Sequence, residues 1–457
     1  MEARRRQVLS LTEVPPHSLS QFCPKWVAPN LLTFSGFLFT VLNFLLFAYY
    51  DYDFYASSVK HPEADPIPRW VWLIAAINIF LAYTLDGIDG KQARKTQTSG
   101  PLGELFDHGL DSWTAILIPV CMYSVFGRGP ESISTLRFYF CLWNVFINFY
   151  LSHWEKYNTG QLFLPWGYDA SMVATIVIFL VTFIYGDQVW SFTIPGNISA
   201  GHMFEIAFYI SALVTNLPVV LWNIYMSYKN QTGKMRTFWE ANRPLVPVLL
   251  FLILSTLWVT CSPVDIIELD PRFIYLTTGT IFSNICCRLI VSQMSSTRCE
   301  IFNWMFLPTG LVVALSLLLP DTPTNKTLNL CMLYILSLLA IVAHIHYGTC
   351  VEHIKSVTDN EVCSLINLGT CGLHVVHGSL RTGVESVNWD ISSLLRQMYY
   401  LFTDSPAHRV LLTQLTGETT NETMRYIYRK DIKVREQETS LLDSGSDGPS
   451  TLEGRAG

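Results

Sequence analysis

Five acidic residues are concentrated in residues 85–112, whose sequence is LDGIDGKQARKTQTSGPLGELFDHGLDS. They are Asp86, Asp89, Glu104, Asp107 and Asp111. The first two are three residues apart and the last two are four apart, so each pair lies on one face of a helix. Glu104 precedes Asp107 by three residues and joins the second face. Carboxylate oxygens are the ligands that hard divalent cations such as Mg²⁺ prefer, so the stretch predicts a metal site.

The segment between the two pairs, QTSGPLG, contains two glycines and a proline. Such residues can end one helix and start another, which would bring four carboxylates to one point. Uncompensated carboxylates at that distance repel one another. The local cations are Lys91, Arg94 and Lys95, and divalent ions are the more economical compensation. Two metal ions bridged by carboxylates suit a displacement at phosphorus, because they stabilise charge on the attacking and leaving oxygens.

Three further residues of the stretch favour a phosphate-containing substrate. Gly87 and Gly90 flank the aspartates, and the absence of a side chain would let a bulky phosphate approach the backbone. Arg94 could pair with a phosphate oxygen through its planar guanidinium group. We therefore predict that these three residues lie on the substrate side of the site.

A histidine within the stretch offers a second candidate for proton transfer. His108 lies between Asp107 and Asp111, and a histidine beside phosphates bound to metal could act as a base near neutral pH. It therefore competes with Asp111 for that role. The alternative is that His108 orients a neighbouring carboxylate.

The rest of the chain has the composition of a membrane protein. Of 457 residues, 50% are hydrophobic and 14% are charged, whereas soluble domains average about 25% charged residues. The net charge of −6 offers no basic surface for nucleic acid. We therefore expect the acidic stretch to lie between lipid-spanning helices, where an unpaired charge is costly and is usually functional.

A span requires about 20 mostly apolar residues, and ten segments approach this length. They lie near residues 31–50, 70–88, 103–125, 135–153, 169–186, 203–226, 244–262, 273–293, 301–319 and 328–347. The predicted fold is an all-α, polytopic transmembrane helix bundle of about ten spans. The catalytic site is predicted at the cytosolic ends of the second and third spans.

The distribution of charge in the loops predicts the orientation. Lysine and arginine fall mainly in the loops after the even-numbered spans, as in KQARK and YKNQTGKMR, and the positive-inside rule places such loops in the cytosol. We predict a cytosolic N-terminal segment at 1–24, a membrane domain at 25–348 and a cytosolic tail at 349–457. The end of that tail, EQETSLLDSGSDGPSTLEGRAG, is polar and predicts a largely disordered segment.

Two pairs of residues outside the acidic stretch are further candidates for a functional role. Glu155 and Lys156 lie at the predicted cytosolic end of the fourth span, where they could contact an ammonium head group or position a histidine. In the alternative interpretation, Glu155 and Lys156 form an interfacial pair whose charged ends extend towards water. His344 and His346 are two residues apart, so on a helix they point to nearly opposite sides, and packing is the preferred interpretation.

The spacing of the acidic stretch is also that of a known family. D-G-x-D-G-x-x-A-R, followed after eight residues by G-x-x-x-D-x-x-x-D, resembles the signature of the CDP-alcohol phosphotransferases. The matched residues are Asp86, Gly87, Asp89, Gly90, Ala93, Arg94, Gly103, Asp107 and Asp111. The likeness covers about residues 24–348. LSHWEKYNTGQLFLPWGYD, QMSSTRC and AHIHYG resemble the eukaryotic ethanolaminephosphotransferase branch of the family, and the tail after Gly348 does not.

The resemblance implies roles for individual residues. It implies that Asp86, Asp89 and Asp107 hold two divalent ions, Mg²⁺ or Mn²⁺, and that Asp111 acts as general base with contacts to the metals. The stretch WVAPNLLTFSG resembles the P-N-x-x-T start of the family's first helix, which implies that Asn30 contacts the cytidine nucleotide. Glu104 is expected among the residues that line the nucleotide site.

The implied reaction transfers phosphoethanolamine from CDP-ethanolamine to diacylglycerol. The resemblance also implies a homodimer in the endoplasmic reticulum or Golgi membrane. Three alternatives remain at this stage: the same fold with CDP-choline or both donors, an intramembrane prenyltransferase, and a transporter. Prenyltransferases carry two widely separated aspartate-rich motifs, and transporters often show internal repeats. The sequence contains one such cluster and no second copy of it.

Overall fold

The computed structural model describes residues 23–58, 61–129, 132–163 and 167–368. The chain divides into two units, Met1–Glu352 and His353–Gly457. The predicted site lies in the first of these, and so does every contact discussed below.

Helices dominate the described residues, with two short strands in one connection. The helices are α1 (Pro29–Tyr50), α2 (Arg69–Thr96), α3 (Pro101–Phe126), α4 (Thr135–Thr159), α5 (Gly167–Tyr185), α6 (Ala200–Ile210), α7 (Leu217–Lys229), α8 (Phe238–Asn242), α9 (Leu245–Cys261), α10 (Ile266–Leu269), α11 (Pro271–Met294), α12 (Phe306–Leu318) and α13 (Pro323–Leu368). A 3₁₀ turn (Asp187–Trp190) follows α5, and a π-helical turn (Ser211–Asn216) joins α6 to α7. Strands β1 (Thr193–Ile194) and β2 (Ile198–Ser199) pair antiparallel.

The predicted all-α, polytopic class is confirmed. Six described helices are long and apolar enough to cross a membrane, namely α1, α2, α3, α5, α11 and α13. Helices α9 and α12 are apolar but shorter. A helix lies at each of the ten predicted positions, and the segment predicted near 203–226 consists of α6, the π-helical turn and α7.

The break between the two aspartate pairs lies where the sequence predicts it. Helix α2 ends at Thr96, and Gln97 adopts a left-handed conformation with φ of 58°. Gly100 is extended, and Pro101 begins α3, a position where proline's missing N–H costs nothing. The break therefore joins the C-terminal end of α2 to the N-terminal end of α3, and each end carries one pair.

Helix α11 is the most buried of the spans and supports α3 from behind. A Cβ atom at Gly279 would overlap the side chain of Ile116 on α3, and one at Gly109 would lie 3.5 Å from Cys287 Sγ. Small residues at these crossings let two helix backbones approach closely, as in other membrane helix pairs. This contact fixes the orientation of α3, and with it the direction of the helix face that carries Asp107 and Asp111.

Segment 23–27, which precedes α1, is fastened to the end of α2. The Gln92 side-chain amide donates to the carbonyl oxygens of Pro24 at 2.8 Å and Val27 at 3.0 Å. Lys95 Nζ donates to the Cys23 carbonyl at 2.7 Å. These bonds hold the start of α1, and with it Asn30, beside the acidic stretch.

Helix α13 continues past Gly348, where the membrane domain was predicted to end, and reaches Leu368. The first part of the predicted tail at 349–457 is therefore helical. The remainder of that tail lies outside the described residues, as do residues 1–22 of the predicted N-terminal segment.

Candidate active site

The structure brings the two aspartate pairs together. Ligand oxygens of Asp86, Asp89 and Asp107 all lie within 4.8 Å of one another, and the same holds for ligand atoms of Asp107, His108 and Asp111. Asp107 belongs to both groups, so the two groups are continuous. We call these five residues the acidic cluster.

Asp89 is held from α1. Thr33 Oγ1 donates a hydrogen bond to Asp89 Oδ2 at 2.5 Å, and both residues are buried. The backbone N–H of Gly90 donates to the other carboxylate oxygen of Asp89. Thr33 is the threonine of the P-N-x-x-T segment, so the start of α1 contributes to the cluster directly.

Asp86 is held from α5. Tyr168 Oη donates a hydrogen bond to Asp86 Oδ2 at 3.1 Å. One turn earlier on α2, Tyr83 Oη donates to Asp169 Oδ1 at 2.8 Å. Two neighbouring residues of α5 therefore exchange hydrogen bonds with two residues of α2.

The two candidate bases are neighbours. His108 Nδ1 lies 3.5 Å from Asp111 Oδ2. The ring of His108 also packs edge-on against the ring of His153 on α4, with 5.2 Å between the centroids. His153 is buried, and its Nδ1 atom has no hydrogen-bond partner among the described residues. The geometry leaves both Asp111 and His108 able to receive a proton.

The glycine faces are open, as the phosphate hypothesis requires. A Cβ atom at Gly87 would meet no described atom within 4 Å. A Cβ atom at Gly90 would lie 3.7 Å from Nη1 of Arg94, whose side chain is exposed. On the facing helix, Gly103 lies near the Asn30 side chain, since a Cβ there would be 3.7 Å from Oδ1. Gly87 and Gly90 therefore leave space beside the aspartates, and Asn30 lies next to the beginning of α3.

The remaining candidates have other partners. Glu104 forms an ion pair with Lys156 of α4. Glu155 faces away from this pair and accepts a hydrogen bond from Asn223 Nδ2 of α7 at 2.9 Å. His344 is buried on α13, where its Nε2 atom lies 3.2 Å from the Ser283 hydroxyl oxygen.

The acidic cluster fits a divalent metal. Among the described residues, no lysine or arginine forms an ion pair with Asp86, Asp89 or Asp107. Asp107 Oδ1 is buried and has no hydrogen-bond partner within the described part of the chain. Two carboxylates about 5 Å apart repel each other by about 3 kcal/mol at an effective dielectric constant of about 20. The four aspartates of the cluster offer hard oxygen ligands, which suit Mg²⁺ or Mn²⁺.

A cleft reaches the cluster from the side of α1 and α5. Its volume, including open solvent, is about 320 Å³. Asp86, Asp111 and Tyr168 contribute polar groups to its lining, and Phe37 and Met172 contribute apolar surface. The cleft therefore places two carboxylates beside apolar side chains.

Sequence reasoning missed three residues that contact the cluster: Thr33, His153 and Tyr168. In the sequence, Thr33 stood out only as the threonine of the P-N-x-x-T motif at the start of α1. His153 lies three residues before Lys156, so the two share a face of α4. That spacing was the signal that could have identified His153. No signal within the acidic stretch pointed to Tyr168, which is contributed by a different helix.

Comparison with known proteins agrees with the geometry. Residues 26–217 match the family model described as CDP-alcohol phosphatidyltransferase. The chain is 48% identical to human ethanolaminephosphotransferase 1 over 342 residues, which cover 74% of this chain and 84% of that protein. Mouse ethanolaminephosphotransferase 1 is 49% identical over 71% of this chain and 80% of its own. Human cholinephosphotransferase 1 is 29% identical over 64% of this chain and 70% of its own.

Proposed function

The chain belongs to the CDP-alcohol phosphatidyltransferase family, and we propose that it transfers phosphoethanolamine from CDP-ethanolamine to diacylglycerol. The products are phosphatidylethanolamine and CMP. The observation that carries the proposal is the acidic cluster, whose aspartates converge with no lysine or arginine of the described residues paired to Asp86, Asp89 or Asp107, beside a partly apolar cleft. One substrate is soluble and the other is a lipid, which accounts for carboxylates at the edge of a membrane.

The choice of ethanolamine rests on similarity. The chain is much more similar to the ethanolaminephosphotransferases than to the cholinephosphotransferase, at 48% against 29% identity. A donor specificity for CDP-choline, or for both donors, is the second candidate function. The same cluster would serve it without change.

Asp86, Asp89 and Asp107 would hold two divalent ions. When bound, such ions neutralise the diphosphate and stabilise the charge that develops on the leaving oxygen. Thr33 and Tyr168 orient two of these carboxylates through their hydroxyl groups. This arrangement leaves the open faces of Gly87 and Gly90 to the donor's phosphates, with Arg94 beside them.

Asp111 takes the proton of the diacylglycerol hydroxyl in this proposal, and His108 is the alternative acceptor. The hydroxyl oxygen forms a bond to the β-phosphorus of the donor, and the bond between that phosphorus and the bridging oxygen breaks. CMP leaves with the electron pair of that bond. The 3.5 Å between His108 Nδ1 and Asp111 Oδ2 lets either group stabilise the protonated form of the other.

We further propose that the site faces the cytosol from the endoplasmic reticulum or Golgi membrane. The basic loops support this orientation, and CDP-ethanolamine is a soluble donor. The predicted homodimer stays a prediction.

A donor competition assay tests the proposal. The purified full chain is incubated in detergent with Mg²⁺, diacylglycerol and equal amounts of CDP-ethanolamine and CDP-choline, and both phospholipids are quantified. We expect phosphatidylethanolamine to dominate, and omission of diacylglycerol to abolish it. Dominant phosphatidylcholine would overturn the donor assignment, and no lipid product from folded protein would overturn the proposed reaction.

A further inference from the structure

Helix α5 is tied to the acidic cluster by a reciprocal pair of hydrogen bonds. Tyr168 donates to Asp86, and Tyr83 donates to Asp169. Tyr83 and Asp86 are three residues apart on α2, so they share a face of that helix. Tyr168 and Asp169 are adjacent at the beginning of α5. We call these four residues the Tyr–Asp latch.

The latch acts on one atom of the cluster. The Tyr168 hydroxyl donates to Oδ2 of Asp86 at 3.1 Å, and a bond from a neighbouring group to a ligating carboxylate restricts how that carboxylate rotates. Such supporting bonds typically change metal affinity by about 10- to 100-fold when they are removed. Asp89 receives equivalent support from Thr33 at 2.5 Å, so two cluster carboxylates are each held by a hydroxyl group from another helix.

Tyr168 packs beside α2, close to the acidic cluster. Its ring lies 6.2 Å from that of Tyr83, between centroids, and it lines the same cleft as Asp86 and Asp111. The second bond of the latch, from Tyr83 to Asp169, keeps the beginning of α5 against α2. Loss of that bond would leave the Tyr168 hydroxyl in place but less firmly held.

We propose that Tyr168 is a positioning residue for the metal ions of this enzyme, acting through Asp86, and that the Tyr83–Asp169 bond maintains it. The inference rests on the metal cluster of the proposed function, and it assigns to α5 a part in metal binding. Tyr168 itself does not contact the ions or the reacting atoms in this proposal.

The test measures metal binding without substrate. Wild-type full-length protein and the variants Tyr168→Phe and Tyr83→Phe are titrated with Mn²⁺, and free Mn²⁺ is followed by electron paramagnetic resonance. Each substitution removes only a hydroxyl group. Tyr185→Phe is the matched control, because Tyr185 lies on the same helix with 66% of its surface exposed.

We expect Tyr168→Phe to weaken Mn²⁺ binding by about 10-fold, Tyr83→Phe to weaken it less, and Tyr185→Phe to match the wild type. The Mn²⁺ concentration that gives half-maximal transfer should rise by the same factor, and the rate at saturating Mn²⁺ should approach that of the wild type. A purely structural role would lower the unfolding temperature without changing the Mn²⁺ titration.

The outcomes separate the inference from the proposed function. Equal Mn²⁺ affinity in the wild type and Tyr168→Phe would overturn the inference and leave the proposed function intact. Equal weakening in Tyr168→Phe and Tyr185→Phe would also overturn it. A wild-type protein that binds no Mn²⁺ would overturn both, because the cluster itself would then not hold a divalent ion.

Discussion

Acidic side chains lie at both ends of the helix bundle, but their arrangement and their partners differ between the two ends. At one end, Asp86, Asp89 and Asp107 converge with no lysine or arginine paired to them in the described part of the chain. Helix α1, whose 22 residues span about 33 Å, separates this end from the other. Thr33 marks the first end, and Asp51 follows the last residue of the helix.

At the second end, no three acidic side chains of the described residues converge, and two of the acids have defined side-chain partners. Glu268 pairs with Arg128, and Asp270 accepts hydrogen bonds from Tyr334 and from Tyr52, both at 2.9 Å. Buried Arg272 donates to the carbonyl oxygens of Asp51 and Tyr52 at 2.6 and 2.9 Å. Such hydrogen bonds offset the cost of burying these polar groups.

The difference indicates which end does chemistry. A set of carboxylates that is left without cations costs folding free energy, and proteins retain such sets where a ligand compensates them. At the second end, the contacts of Glu268 with Arg128 and of Asp270 with two tyrosines account for these two acids without a ligand.

Asp107→Asn should abolish transfer with no loss of folding. Asp107 is common to both groups of the cluster, so we expect a fall in kcat/KM of at least about 1000-fold, comparable to the loss of other essential catalytic groups. Without metal, the unfolding temperature should stay equal or rise, because one repulsive charge is gone. Asp270→Asn is the control, and its activity per folded molecule should be unchanged. A similar activity loss in both variants would contradict the contrast.

Arg272→Met should lower stability and retain activity, which is the reverse of the result expected for Asp107→Asn. Arg272 is 2% exposed, and removal of one member of a buried polar network typically costs about 3–5 kcal/mol. We expect a loss of that size in the free energy of unfolding, measured by denaturant titration in mixed micelles, with transfer per folded molecule retained.

The control for this substitution is Arg298→Met, whose side chain is 74% exposed, and its cost should be below about 1 kcal/mol. If the two variants were equally stable, the network around Arg272 would not hold the second end together.

Asp51 should make the stability of the second end depend on pH. Burial raises the pKa of the Asp51 carboxyl from 3.8 to about 6. The folded state therefore binds this proton more tightly than the unfolded state, so the contribution to stability is full below about pH 4 and is lost as the pH rises through 6. One pKa unit corresponds to about 1.4 kcal/mol, which gives a change of about 3 kcal/mol.

Asp51→Asn should remove this part of the pH dependence. The measurement is the difference in unfolding free energy between wild type and variant from pH 4 to pH 7, and it should grow in the variant's favour as the pH rises. A constant difference over that range would show that Asp51 does not titrate as described.

The smallest predicted effect concerns the ion pair beside the cluster. Glu104 and Lys156 are partly exposed, at 32% and 18%, and pairs of this kind contribute at most about 1 kcal/mol. Lys156→Met should therefore lower kcat/KM by no more than about fivefold, with little effect on stability.

An exchange of the two charges separates the explanations for that effect. The double variant Glu104→Lys, Lys156→Glu should recover most of the activity if the pair acts by joining α3 to α4. Failure to recover would mean that Lys156 contributes its charge to the substrate.

The sequence predicted the convergence of the aspartates because that feature is local. Spacings of three and four residues and a Gly-Pro break determine the geometry of two consecutive helix ends. Hydropathy placed the helices but ended the second near residue 88, whereas α2 continues to Thr96. The polar motif residues lower hydropathy there but remain compatible with a helix, so the helix extends past the apolar segment.

The supporting contacts could not be predicted in this way. Tyr168 reaches Asp86 from 82 residues away, and Thr33 reaches Asp89 from 56 residues away. Both contacts depend on how α1 and α5 pack around α2, and no spacing within one segment encodes that packing. The contact of Glu155 could not be predicted for the same reason. Its partner, Asn223, lies on another helix, and which residues face Glu155 depends on how α4 and α7 pack together.

Removal and return of the metal tests the central claim most directly. Wild-type protein is stripped of divalent ions with a chelator, and phosphatidylethanolamine formation from CDP-ethanolamine and diacylglycerol is measured before and after Mg²⁺ or Mn²⁺ is added. The account predicts no transfer in the chelator and full recovery with the metal. Transfer that continues unchanged in the chelator would contradict the assignment of the acidic cluster as a metal centre.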